Sequence, residues 1–399
     1  MRFDLPSRFQ VPTPVWRLGW VSLLTDLSSE MIFAVFAMAF TLVAGGSTPL
    51  LGIVEGLADF SSCALDGVSG RLADRRSWHK RLAVAGYGFS AIAKIVPFLS
   101  LSLSALGTFR VVERLGKSVR GAPRDAWLAS TAPAGQRGYV FGVHKALDKT
   151  GAVVGPLVAY GILAARGESS ATIRCIFALA VVPAFLAVWV LVRGANPRIP
   201  PVRSERVTPD VRRMSPGFRR YLVTSGVFSL GYFSFAFLLL RAHVGGFGSR
   251  QIVLLYALYN AVFVIAAPVI GRVSDRFGRA FVLMTGYGLG VLVNVGLSTM
   301  TSRGGLVGMF VLHAVLYSID EAQSKAFVAD LEPSRTGRAI GGLSFLTGLI
   351  YLPASLLAGY LWSFDMRWPF LLAAALSACA LLTFALVRPD RCLRPYTGS

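Results

Sequence analysis

The chain has 399 residues, 54% of them hydrophobic and only 15% charged, with a mean hydropathy of +0.60. A soluble domain carries roughly a quarter charged residues, and apolar runs of about 20 residues, enough to cross a hydrocarbon core of roughly 30 Å, recur from end to end. The net charge of +20 sits mostly in short segments between those runs, the pattern of cytoplasmic loops rather than of a nucleic-acid-binding surface, and the short alternating segments of a transmembrane barrel do not occur.

The polar, Pro-rich stretch up to Pro14 lacks the pattern of a cleaved signal. The first apolar run, 17–43, carries Asp26 and Glu30 four residues apart on one helical face, flanked by Ser22, Thr25 and Ser29. The second, 50–70, carries Glu55 and Asp59, and the third, 81–102, carries Lys94. These three are expected to form a structural ion-pair cluster. The connections "AGGSTP" (44–49) and "SLSLSA" (100–105) are uncharged, whereas "RLADRRSWHKR" (71–81) is strongly basic. Basic loops face the cytoplasm.

Parity then decides the next segment. Between the basic loops at 71–81 and 193–220 the chain crosses the membrane an even number of times, yet only three plainly apolar runs lie there: 81–102, 139–164 and 171–192. The fourth crossing falls on 105–127, which contains "RVVERLGKSVRGAPRDAW". Positions 110, 113, 114, 117, 120, 121 and 124 follow helical spacing, so the charges among them form one stripe. A charge in hydrocarbon costs several kcal/mol, so the stripe faces a wet cavity or oppositely charged partners. In a second reading only the outer half spans, and 117–127 forms an amphipathic arm that leaves Arg110, Glu113 and Arg114 at depth.

Six further runs follow at 219–242, 251–271, 280–300, 304–328, 338–362 and 368–387. The expected fold is an all-α polytopic membrane protein of twelve transmembrane helices in two six-helix pseudo-symmetric halves. These halves are 1–193 and 219–399, joined by a cytoplasmic linker at 194–218, with both termini cytoplasmic. Each half repeats a signal between its second and third spans: "GRLADRR" at 70–76 and "GRVSDRFGR" at 271–279. A repeat at half the chain length is typical of secondary transporters. Cys63, Cys175, Cys379 and Cys392 stand singly, and His79, His144, His243 and His313 are isolated. No metal cluster, nucleotide loop or nucleophile triad is visible. The expectation is no metal, no cofactor and no enzymatic activity.

On these motifs the chain resembles the major facilitator superfamily over nearly its whole length. The family's loop motif, G-x-L-A-D-R-x-G-R-R, is matched by Gly70, Leu72, Ala73, Asp74 and Arg75, with Ser77 and Trp78 departing from it. The second copy keeps Gly271, Asp275, Arg276, Gly278 and Arg279. The resemblance implies that these residues latch the cytoplasmic side. In span four Arg110 matches the Arg of a motif linked to proton coupling in related antiporters, while Glu113 and Arg114 replace its Gln and Gly. In span five Gly151, Gly155 and Pro156 match G-x-x-x-G-P, which is associated with proton-driven exporters; simple helix packing is the other reading. The segments "TDLSSEM", "GIVEGLADF", "ERLGKSVRGAPRDAWLA" and "VADLEPSRTGRAIGG" resemble a prokaryotic efflux-permease branch, some of whose members are linked to nickel resistance.

Related folds line their cavity with spans one, four, seven and ten. The resemblance therefore implies proton-coupling candidates Asp26, Glu30, Arg110, Glu113 and Arg114, and substrate-cavity candidates Lys117, Asp320, Glu321, Gln323, Tyr232, Tyr256 and Tyr259. A permanent salt-bridge network joining spans one and four is the competing role for the first group. The expected function is proton-coupled export of a small solute by alternating access. Uptake by symport is the alternative, with a metal-ion or metal-chelate exporter and a non-transport membrane protein ranked below. The expected partners are a small-molecule or ion substrate, protons and the lipid bilayer, with no nucleic acid, and the expected state is a monomer in the inner membrane. Basic residues of span four and carboxylates of spans one and ten leave the solute's charge open.

Overall fold

The computed structural model describes residues 12–65, 68–70, 72–73, 77–131, 137–194, 214–332 and 336–389. Among them the regular structure is helical throughout: α1 (Thr13–Met38) running on into a π-helical turn (Ala39–Val43), α2 (Thr48–Ala64), α3 (His79–Ala93), α4 (Ile95–Leu99), α5 (Leu103–Thr131), α6 (Arg137–Arg166) and α7 (Ser170–Val192). There follow α8 (Pro216–Leu230), α9 (Phe235–Val244), α10 (Ser249–Phe277), α11 (Arg279–Thr299), α12 (Arg303–Leu331), α13 (Thr336–Phe364) and α14 (Trp368–Val387).

Ten helical segments among the described residues are long and apolar enough to cross a membrane. Two further helices that the sequence expects to cross lie outside that set: α2, whose 17 residues stand at the lower limit of a span, and α5, whose 29 residues suffice in length but carry the charged stripe. α5 is one continuous helix through Pro123.

The helices form two compact units, Met1–Ala34 with Leu65–Ser204, and Val35–Ala64 with Glu205–Ser399. In the first, Val15, Leu18 and Val21 of α1 join Ala83 and Tyr87 of α3, Trp127 and Leu128 of α5 and Leu191 of α7 in a buried core. α3 and α5 approach backbone to backbone. A Cβ on Gly86 would meet the Gly116 carbonyl at 2.5 Å, and one on Gly116 would meet the Gly86 carbonyl at 2.6 Å. Small residues permit such contact where lipid supplies no hydrophobic drive.

In the second unit, Phe218, Tyr221, Leu283, Tyr287, Phe327 and Phe384 build an aromatic core from α8, α11, α12 and α14. α2 belongs here through its glycines: a Cβ on Gly52 would meet the Ser355 carbonyl of α13 at 2.5 Å, and one on Gly56 the Leu352 carbonyl at 2.9 Å. The expected single span at 219–242 is broken at 231–234 into α8 and α9. Ser234 restarts the chain by accepting the Ala236 N–H at 3.3 Å. Arg241, buried at 3% exposure, donates to the Leu297 carbonyl at 2.7 Å and the Met300 carbonyl at 2.5 Å, satisfying carbonyls at the end of α11.

Candidate functional site

The first unit gathers its charges where α1, α3, α5 and α6 meet. Ser29 of α1 donates to Glu113 Oε1 at 3.0 Å, and Lys94, fully buried, donates to Ser28 Oγ at 2.8 Å and Ser29 Oγ at 3.0 Å. Ser28 in turn donates to the Ala180 carbonyl of α7 at 2.5 Å. Arg114 Nε lies 3.9 Å from Glu113 Oε2, and the charges of Lys94, Arg120 and Arg110 also act on this one carboxylate. Arg120 donates to Ser90 at 2.6 Å and lies 4.6 Å over the Tyr87 ring, while Arg110 lies 4.3 Å over Phe33. A buried carboxylate thus sits among four cations, each with a protein partner.

Asp26 lies one helical turn away, within hydrogen-bonding reach of Asp148 on α6 and in the field of Glu30 and Lys117. Asp148 accepts from Ser22 and from Lys145 at 3.1 Å. The span-five motif explains how α6 reaches this place. A Cβ on Gly151 would strike the Leu23 carbonyl, and one on Gly155 would meet the Leu27 carbonyl at 2.7 Å and Glu30 Cβ at 3.0 Å. The two glycines are the bed on which the carboxylate-bearing stretch of α1 lies. Lys117 is exposed and Arg114 half-buried.

The second unit holds a separate pocket at the α8–α9 break. Its walls include Tyr232, Phe233, Asn294, Tyr317, Asp320 and Tyr351, and it encloses about 80 Å³ measured to the centres of water-sized spheres, room for several waters. Tyr232 and Tyr351 stack with centroids 3.9 Å apart, and the Tyr232 hydroxyl donates to Asp59 at 2.7 Å. Asp320 accepts from Ser324 at 3.0 Å.

The other cavity candidates disperse. Gln323 accepts from Ser274 at 2.6 Å in the loop-motif region. Tyr256 and Tyr259 pack on Phe235, with centroids 4.9 and 4.5 Å away, and Tyr259 reaches His313 at 3.2 Å. Glu321 is half-buried outside the pocket walls, its charge directed at Tyr259 and Tyr317. Glu55 accepts from Ser234 at 2.6 Å. The acids Glu55 and Asp59 thus bind hydroxyls of the second unit, while Lys94 binds those of α1.

Of the loop motifs, Asp74, Arg75 and the Asp275 side chain lie outside the described residues. Gly70 faces Ala122 of α5, with open space around Gly271. Gly278 adopts φ +88°, a conformation that favours glycine. Arg276 lies over Phe277. Arg279 bonds the Ala326 carbonyl and pairs with Asp330 at 3.0 Å, tying the start of α11 to the end of α12.

Sequence reasoning passed over Asp148, Asn294 and Tyr351, took His313 only as an isolated histidine, and grouped Lys94 with Glu55 and Asp59. Asp148, a lone acid three residues before Gly151 in an apolar helix, was the legible signal.

The family model for the Major Facilitator Superfamily matches residues 18–249 and 222–395. An uncharacterized MFS-type transporter of Methanocaldococcus jannaschii is 32% identical over 372 residues, 91% of this chain and 92% of the relative. The class C tetracycline resistance protein of Escherichia coli is 30% identical over 129 residues, 32% of either chain. Among solved structures, a bacterial homolog of the human lysosomal transporter Spinster, in an inward-facing and occupied conformation, aligns with a TM-score of 0.77 at 14% identity, covering 96% of this chain and 98% of that one.

Proposed function

The chain belongs to the major facilitator superfamily, and from that premise we propose a secondary active transporter that exports a small solute in exchange for protons by alternating access. The observation that carries this reading is the Lys94–Ser29–Glu113 arrangement. A buried carboxylate is bridged to a buried cation through one hydroxyl, at the meeting of α1, α3 and α5. Protonating that carboxylate changes the charge balance of the helices around it, which is what coupling a proton to a helix movement requires. One turn along α1 from Ser29, Asp26 faces Asp148 of α6, which adds a carboxyl pair beside this arrangement.

The chain crosses the membrane twelve times in this reading, α2 and α5 completing the ten apolar passes. The halves 1–193 and 219–399, the linker 194–218, a monomeric state, cytoplasmic termini and an inner-membrane location belong to the same proposal, as does the absence of an enzymatic step. The loop-motif residues Gly70, Asp74, Arg75, Gly271, Asp275, Arg276 and Arg279 serve as cytoplasmic latches, and the Arg279–Asp330 pair supports this for the second copy. Export rather than uptake draws on the partial likeness to a tetracycline resistance protein and on Gly151, Gly155 and Pro156.

Flux into proteoliposomes under an imposed pH gradient tests the reading. Three radiolabelled probes that cross lipid poorly are used: benzylguanidinium, phenylalanine and phenyl phosphate. An exchanger accumulates a probe in vesicles with an acidic lumen. A symporter does so with an acidic exterior.

A further inference from the structure

The pocket in the second unit has one chemical sense. Asn294 is buried at 4% exposure; its Nδ2 donates to the Gly290 carbonyl at 2.8 Å, and its Oδ1 has no hydrogen-bond partner. The orientation is fixed by chemistry, because a carbonyl accepts only, so the amide nitrogen faces Gly290 and the oxygen faces away. A buried acceptor left unpaired costs about 1–3 kcal/mol, and Asn294 lines the pocket.

A second polar group of the walls is another acceptor, the Asp320 carboxylate, whose Oδ1 accepts from the Ser324 hydroxyl at 3.0 Å. Around them stand aromatic rings. Tyr232 spends its hydroxyl on Asp59 and stacks on Tyr351, so its ring contributes a negative π-face. Among the described residues of the pocket's walls there is no Lys or Arg, and His313 is the one basic side chain, engaged with Tyr259 at Nδ1. An unpaired amide oxygen, a carboxylate and stacked rings all attract positive charge, and the first two call for N–H donors.

We propose that this pocket, resting on the transport reading, binds a nitrogen-bearing organic cation with N–H donors, an amine or a guanidine attached to an aromatic or apolar body. Its N–H groups bond Asn294 Oδ1 and Asp320, and its body lies against Tyr232, Tyr317 and Tyr351. The break between α8 and α9 is what opens the space, as interrupted helices do at transporter sites.

Equilibrium binding to the purified full chain in detergent tests this with four probes: benzylguanidinium, phenylalanine, phenyl phosphate and benzyltrimethylammonium. Benzylguanidinium keeps its charge at every pH used. The expected order places it about tenfold or more tighter than phenylalanine or phenyl phosphate. Benzyltrimethylammonium, a cation without N–H groups, falls between. Asp320→Asn abolishes the preference, and Asn294→Leu brings benzylguanidinium down to benzyltrimethylammonium. Equal or tighter binding of the zwitterion or anion overturns the proposal, as does no binding by any probe, or benzylguanidinium binding that neither substitution changes. The four-probe order on the unaltered chain stands even if a variant fails to fold. Flux measured beside it separates the two readings: binding without flux removes transport and leaves the pocket, whereas flux of an anion with no cation preference does the reverse.

Discussion

The Ser29 hydroxyl donates to the Glu113 carboxylate at 3.0 Å and accepts from Lys94 at 3.0 Å, so one side chain of α1 stands between a buried acid of α5 and a buried base at the junction of α3 and α4. Neither charged group reaches the other through that hydroxyl without α1 in place. A movement of α1 therefore changes how well the two charges are compensated, and a change in the charge of Glu113 alters what holds α1.

The Glu113→Gln substitution keeps the shape and removes the titrating group. The variant is expected to exchange solute down its own gradient at a rate near that of the native chain, while accumulation driven by a pH gradient falls to the level without a gradient. Parallel counterflow and gradient-driven uptake in proteoliposomes measure both. A variant that merely melts earlier, with an unchanged pH profile in the protein that survives, assigns Glu113 a structural role instead.

Lys94 and Glu113 are expected to be energetically coupled. Removing either leaves the other charge buried, at a cost of about 3–5 kcal/mol. Lys94→Met combined with Glu113→Gln should recover part of that loss, with a coupling of about 1–3 kcal/mol. Thermal melts of the two single variants and the double variant in one detergent give the cycle. Strict additivity would mean that the two charges do not sense each other.

The span-five glycines are expected to tolerate nothing larger. Gly155→Val drives side-chain atoms into the Leu27 carbonyl and Glu30, an overpacking cost of about 1–3 kcal/mol, and displaces the acidic stretch of α1. Gly161, on the same helix with open space around it, accepts valine with little change in melting temperature. Equal melting shifts for the two variants would remove the close-packing argument.

Much of this was legible in the residues. The parity of basic loops asked for a helix at 105–127, where α5 runs unbroken, and the loop signals at 70–76 and 271–279 pointed to the major facilitator superfamily, whose family model matches the chain. The break at 231–234 was not legible: "SLGYFSF" contains no proline and reads as continuous helix, and only the packing of Gly231 against Ala373 and Leu376 reveals the close approach there. Nor could spacing find Asp148 as the neighbour of Asp26, because the two are 122 positions apart in sequence and meet only when Gly151 and Gly155 seat α6 on α1. Helical periodicity tells which residues share a face. It does not tell which helix that face meets.

The Arg279–Asp330 pair is expected to matter for transport more than for stability. Its side chains are 31% and 41% exposed, so the pair contributes less than about 1 kcal/mol. Arg279→Ala also abandons the Ala326 carbonyl. Its melting temperature should lie near that of the native chain while initial flux rates drop, with Asp330→Asn showing a milder form of the same effect. Unchanged flux in both variants would deny the latch.

Proton movement during solute entry tests the central claim most directly. Proteoliposomes carrying a lumenal pH dye, with no initial pH gradient, are given benzylguanidinium, phenylalanine or phenyl phosphate outside. Exchange predicts that entry of at least one probe raises the lumenal pH, and that Glu113→Gln vesicles take up the same probe only in exchange for preloaded solute, with no pH change. A fall in lumenal pH on entry, flux with no pH change in the native chain, or no probe entering faster than in protein-free vesicles would contradict it.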